Sequence, residues 1–238
     1  MTSLVGDMRP IILSLYMDNA NPEVVKYQKK VVDKFRKDIP FHQLLTGHSH
    51  GRSMELIIQG LLAKNDDTVI IFLDIDAIPL HRDSFDILLS MTHNGEIIAG
   101  APQSTNHLPD ANGVFVAPSI MAIGTKLYFD IGSPRAEPTE SSDVAELWSM
   151  SYRMVTGNEP EFLDILGFNG RPAPVRLANG KVISVDHWVL DNPAQTKFGL
   201  NTRYGRDSEE LFFHSYQSFV PGQNEYFINQ CKAILTEI

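Results

Sequence analysis

The sequence predicts an α/β fold, with a mostly parallel central sheet flanked by helices and a small antiparallel β element added late in the chain. Two observations carry this. The first 76 residues alternate strand, helix, strand, helix, strand, the order that produces parallel strands joined by crossover helices. The third of those strands, within 68–80 (TVIIFLDIDAIPL), is an apolar, β-branched run that stops at two carboxylates, Asp74 and Asp76. A run of this kind is apolar on both faces, as a strand in the middle of a sheet must be.

Taken in order, residues 9–16 (RPIILSLY) form the first buried strand. Pro22 suits the first turn of a helix with Asn21 as its cap, and Val24, Val25, Val31, Val32 and Phe35 recur at helical spacing. FHQLL is a short second strand, TGHSHG a loop, and 53–64 a helix with Met54, Ile57, Ile58, Leu61 and Leu62 on its apolar stripe. After the opening strand, 84–92 reads as a helix capped by Asp83 and closed near Gly95. Residues 96–101 and 114–123 are strand-like, the second interrupted by Pro118, and 126–129 is a helical turn. The Pro-, Ser- and Glu-rich stretch 131–142 is expected to be a mobile loop. Val144, Leu147, Trp148, Tyr152 and Val155 mark a helix closed by Gly157, and Asn179-Gly180 is a hairpin signal between 173–177 and 182–186. The chain ends on LFFHSYQS and a helix bearing Phe227, Cys231, Ile234 and Leu235. No shift of composition divides the 238 residues, so one domain is expected.

Bulk properties exclude several functions. A net charge of −9 opposes non-specific nucleic-acid binding, because a phosphate backbone selects basic surfaces. An acidic protein that handles phosphates needs a divalent cation as the bridge. The single cysteine, Cys231, rules out an intrachain disulfide and a cysteine zinc site, and reads as a core residue. No stretch approaches the ~20 apolar residues that span a bilayer. The start of the chain lacks the layout of a signal peptide, so a cytoplasmic location is expected.

In parallel sheets of this kind ligands bind at the carboxyl ends of the strands. Residues 16–19, 48–53 and 74–76 are therefore expected to converge. Asp74 and Asp76 are two apart, so their side chains start on the same side of an extended backbone. Adjacent carboxylates repel unless a cation sits between them or one takes up a proton. The phosphate loop G-x-x-x-x-G-K-[ST], the dinucleotide G-x-G-x-x-G after the first strand, H-E-x-x-H and G-x-S-x-G are all absent.

From Gly51 to Leu80 the sequence GRSMELIIQGLLAKNDDTVIIFLDIDAIPL resembles the core of the GT-A glycosyltransferases, in which a Gly-x-Ser/Ala helix precedes a strand ending in D-x-D. The resemblance implies a single GT-A-like (Rossmann-like) domain, with residues 1–102 binding a nucleotide-sugar and 103–238 binding the acceptor. It implies a metal-dependent transfer of a sugar from a nucleotide-diphosphate sugar, a UDP-sugar above others, to a hydroxyl of a saccharide or other acceptor. The metal would be manganese or magnesium, which suit hard oxygen ligands. By the same resemblance Asp76 binds the metal directly, Asp74 helps hold the metal or the ribose, and His214 is a further metal ligand. Tyr16, Asp18, His50 and Arg52 would meet the donor, and Gln103, Ser104 and Asn106 the acceptor sugars. In inverting members an Asp or Glu at the start of a helix deprotonates the acceptor hydroxyl; Asp143 fits, with Glu140 as second choice. Asp143 and Glu146 also match a capping box, which needs no catalytic role.

Two alternatives stand beside this. A haloacid-dehalogenase-like phosphatase would use Asp74 as nucleophile and Asp76 as general acid. That class continues with Gly-Thr and needs a downstream acidic pair, whereas Ala77-Ile78 follows here. A non-catalytic nucleotide-sugar-binding module would keep the same pocket without the chemistry.

Overall fold

The computed structural model describes residues 9–36, 38–62, 68–105, 108, 113–168, 173–185, 201–215 and 222–236. The apolar runs become β1 (Arg9–Tyr16), β2 (Phe41–Leu45) and β3 (Thr68–Leu73), and the amphipathic stretches between them become α1 (Pro22–Phe35) and α2 (His50–Leu62). Asn21 caps α1, its side chain accepting from the Glu23 N–H at 2.9 Å, with Pro22 in the first turn. β4 (Ala77–Pro79), α3 (Ser84–Met91), β5 (Ala99–Ser104), β6 (Val114–Gly124) and α4 (Thr125–Asp130) follow. The expected Asp83 cap on α3 is not made. Instead Ser84 Oγ donates to the carbonyl of Leu211 at 2.5 Å, tying α3 to a distant strand.

The central sheet has the order β2-β1-β3-β6-β5-β7, with β7 at Glu161–Phe162. β2, β1 and β3 pair in parallel, β6 is antiparallel to both β3 and β5, and β7 is parallel to β5. Five strands thus share one direction and β6 opposes them, so the sheet is mixed. Pro118 does not end β6. The strand continues through it, and the β5 register jumps from Gly100↔Met121 to Pro102↔Val116, leaving 117–120 as the bend.

Alternation along β3 divides the core. Ile70 and Phe72 face a cluster with Met54 and Ile58 of α2, Tyr128 of α4 and Trp148 of α5 (Glu146–Thr156). Val69, Ile71 and Leu73 face the opposite cluster with Phe85, Leu88 and Leu89 of α3. Burying each of these large side chains contributes about 1.5–3 kcal/mol.

The expected hairpin forms between β9 (Ala173–Arg176) and β10 (Val182–Val185). A second antiparallel sheet, in the order β4-β12-β11-β8, was not anticipated. It joins β8 (Asp164–Phe168), β11 (Thr202–Arg206) and β12 (Glu209–His214) to the short β4 that follows the carboxylates. Phe213 of β12 packs with Phe227, Cys231 and Ile234 of α6 (Gln223–Thr236) and with Val24 and Val31 of α1. Cys231 is a core residue as expected, and burial pushes its thiol up to about 12.

The stretch 131–142, expected to be mobile, is fastened down. Ala136 is fully buried, its N–H donates to Glu55 Oε1 at 2.7 Å, and Trp148 Nε1 donates to the Pro134 carbonyl at 2.9 Å. The reason for Gly51 lies here as well. A Cβ at that position would come within 2.6 Å of the Ala136 carbonyl oxygen.

Candidate metal and ligand site

β3 delivers Asp74 and Asp76 to the edge of the sheet, and a tight turn closes immediately, the Ala77 N–H donating to the Asp74 carbonyl at 2.9 Å. β4 then pairs with β12 so that His214 lies opposite Ala77. The Ser215 N–H donates to the Asp76 carbonyl at 2.9 Å, locking that register. Two segments far apart in sequence therefore place three side chains together. His214 Nε2 stands 3.2 Å from Asp76 Oδ1 and 3.6 Å from Asp74 Oδ2. His50, the first residue of α2, approaches from the other side with Nδ1 3.7 Å from Asp74 Oδ1.

Asp74, Asp76 and His214 each offer a ligand atom, and these atoms lie within 4.8 Å of one another. Ligands of one manganese or magnesium ion at ~2.1 Å are about 3–4.2 Å apart, so small side-chain adjustments bring the three onto one ion. Two hard carboxylates with one imidazole suit manganese or magnesium. The donor set fits a divalent cation. The Asp76 and His214 side chains are only 11% and 3% exposed, whereas Asp74 retains 25%, so the cluster meets solvent on the Asp74 side. Burial holds the Asp74 carboxyl above its ordinary value; His50 and His214 pull it back and Asp76 pushes it further up. The metal-free site thus carries a carboxylate that is costly to ionise, which a cation would relieve.

The cluster forms one wall of an open cavity of about 500 Å³. Tyr16, Met17, Asn19, Thr46, His50 and Asn224 line it along with the three ligand candidates. The expected convergence of the strand ends after β1, β2 and β3 is realised. Of the donor candidates, Tyr16 and His50 line the cavity. Asp18 is exposed between two lining residues, and Arg52 is engaged elsewhere, its Nη1 donating to Glu55 Oε2 at 2.9 Å.

The second candidate group lies apart from this cavity wall. Gln103 Nε2 donates to Asp143 Oδ2 at 3.1 Å, which joins an acceptor candidate to the candidate base. Ser104 is buried beside Gln103 at the end of β5, Glu140 is exposed, and Asn106 lies outside the described residues. One half of the expected capping box forms, the Asp143 N–H donating to Glu146 Oε2 at 2.8 Å, while Asp143 Oδ1 accepts from the Val144 N–H at 2.7 Å and the Glu146 N–H donates to the Asp143 carbonyl at 3.2 Å. The helix proper starts one residue beyond Ala145, which adopts φ 60°. Glu146 is buried and accepts from Thr105 Oγ1 at 3.2 Å; burial raises its carboxyl above the usual range. Sequence reasoning missed Thr46 and Asn224 as lining residues, since single polar residues in loops or at a helix start carry no pattern.

No family model matches the chain, and no curated protein matches it. Solved structures do show a distant likeness. Over 75% of this chain and 94% of the other, it is 14% identical to A197 from STIV, with a TM-score of 0.42. Over 64% of this chain and 81% of the other, it is 13% identical to a glycosyltransferase involved in the glycosylation of the major capsid of PBCV-1, with a TM-score of 0.39. Likenesses this remote do not extend to chemistry, which has to come from the side chains. Among the described residues no helix is long and apolar enough to cross a membrane.

Proposed function

We propose that the protein is a metal-dependent glycosyltransferase that moves a sugar from a nucleotide-diphosphate sugar, a UDP-sugar above others, to a hydroxyl of a saccharide or other acceptor. The observation that carries this is the meeting of Asp74, Asp76 and His214 at the strand ends, in the wall of a cavity large enough for a nucleotide. The resemblance of residues 51–80 to the GT-A core supports it. A bound divalent cation would supply neutralisation of the charge that develops on the leaving diphosphate. Asp76 and His214 hold that cation, Asp74 holds the cation or the ribose, and Tyr16 offers its ring to the base. His50 donates to the diphosphate or the donor sugar.

In the transfer the acceptor oxygen bonds to the anomeric carbon while the bond from that carbon to phosphate breaks, the electron pair leaving on the diphosphate. In an inverting course Asp143 takes the acceptor proton, and Gln103 orients its carboxylate; a retaining course needs no such base. The donor half spans about 1–102 and the acceptor half about 103–238.

The test is a thermal-shift and hydrolysis screen of nucleotide-sugars with manganese. UDP-sugars with the metal are expected to raise the melting temperature and to be slowly hydrolysed. Asp76→Ala is expected to abolish both while the metal-free protein stays folded. Turnover of a generic phosphomonoester that survives Asp76→Asn would instead point to phosphatase chemistry, and a shift without hydrolysis or transfer to a binding module.

A further inference from the structure

The buried stripe of α1 contains one polar residue. Val24, Gln28, Val31 and Val32 are its buried positions, and Gln28 is fully buried among them. A buried amide is destabilising unless its hydrogen-bonding groups find partners. Gln28 Nε2 donates to the carbonyl of Asp74 at 2.5 Å and to the carbonyl of Ala77 at 3.0 Å. These two carbonyls bracket the turn that carries both carboxylates. Gln28 Oε1 accepts from Gln43 Nε2 of β2 at 2.9 Å, and Gln43 Nε2 also donates to the Val25 carbonyl at 2.7 Å. The orientation of the Gln28 amide is therefore fixed from both ends. Its nitrogen must face two carbonyl oxygens, and its oxygen must face a donor.

We propose that Gln28, oriented by Gln43, is a positioning residue that clamps the 74–77 turn and so sets the separation of the Asp74 and Asp76 carboxylates for a divalent cation. This rests on the metal reading of the site given above. The physical basis is the geometry of the turn. The Ala77 N–H already closes it onto the Asp74 carbonyl, the Asp74 N–H donates to the Ser119 carbonyl and the Ser215 N–H to the Asp76 carbonyl, but these bonds leave the turn free to move relative to α1. A second pair of bonds, from one rigid planar amide to both ends, removes that freedom. Partners outside a metal's direct ligands act in this way on affinity, and their loss typically costs about 10- to 100-fold.

The experiment is a manganese titration of the purified protein, followed by electron paramagnetic resonance of the free and bound ion. Gln28→Met keeps the length of the side chain and removes both donors. It is expected to weaken manganese binding about tenfold and to change the spectrum of the bound ion. Gln43→Met, which removes only the orienting donor, should weaken binding in the same direction by less; it keeps the inference testable if Gln28→Met does not fold. Ile58→Val lies in the core away from the turn and controls for general loss of stability; its affinity is expected to equal that of the wild type. If wild-type protein binds manganese and Asp76→Ala does not, yet both glutamine variants bind normally, the clamp is overturned and the metal site stands. An equal loss in Ile58→Val also overturns it, since the effect then comes from stability alone. If wild-type protein does not bind manganese, or Asp76→Ala binds as well as wild type, the metal reading itself fails and takes the clamp with it.

Discussion

Asp74 is placed against its own stability. Its carboxyl is held above the ordinary value by burial, so the folded state retains a proton that the unfolded state releases. The sign follows directly: without metal, stability falls as pH rises from the ordinary carboxylate range toward the folded value. Asp74→Asn removes the ionisation. The metal-free variant is expected to be more stable than wild type at neutral pH by about 1 kcal/mol, which corresponds to about 2–4 °C in Tm for a chain of this size. Differential scanning calorimetry in a chelator checks it. At this scale much of the site was legible in the sequence. The pair announced itself because an apolar run stopped at it, and His214 because the apolar Leu211, Phe212 and Phe213 lead into it. Gln28 also left a sign that was passed over, a polar side chain on an apolar helical stripe. Arg52 looked like a donor contact only because its partner, Glu55, lies on the same helix and invites no attention in a linear reading.

The helix α2 and the segment 131–145 form a unit through Glu55. Burial pushes the Glu55 carboxyl up, but the N–H of Ala136, the Arg52 guanidinium and the N–H of Glu137 more than reverse this, so it lies below its usual value. A depressed carboxyl contributes stability above its unfolded value and loses it as pH falls through the folded one. Glu55→Ala is expected to cost about 1–3 kcal/mol and to open residues 134–145 to proteolysis at neutral pH. Wild-type protein should show the same opening only in acid, below the usual glutamate range. Composition suggested a mobile loop here because Pro, Ser and Glu are frequent in loops. The anchoring comes from a residue 81 positions away in sequence, which composition does not register. The direction of β6 was not legible, because strands read at 96–101 and 114–123 leave room for a parallel crossover; in the structure β5 runs on to Ser104, which shortens the interval before Val114. β8 and β11 gave less to work with, since DILGF and TRYGR carry too little alternation to stand out.

Over the whole molecule, two sheets meet at the carboxylate turn, β3 in one and β4 in the other. The first part of the fold was readable because crossover units repeat a simple apolar pattern. The second sheet was not, because two of its pairings, β4 with β12 and β8 with β11, skip along the chain. Saturation with manganese at a hundredfold excess over Kd is expected to add about 2.7 kcal/mol of stability. Hydrogen exchange should show where it goes: amides of β12 should slow more than those of the β9–β10 hairpin.

That distribution follows from the register that sets His214 beside Ala77. Asp76 and His214 are 138 positions apart, so an ion shared between them would close a very large loop, much as a long-range disulfide does. Loop closure of that length removes several kcal/mol of freedom from the unfolded chain in the chain-entropy description, roughly 4–5 kcal/mol for a covalent link. In a protein whose single cysteine is buried, a coordinated ion is a reversible staple. It would fasten the last strand to the first half of the chain, and a chelator would unfasten it.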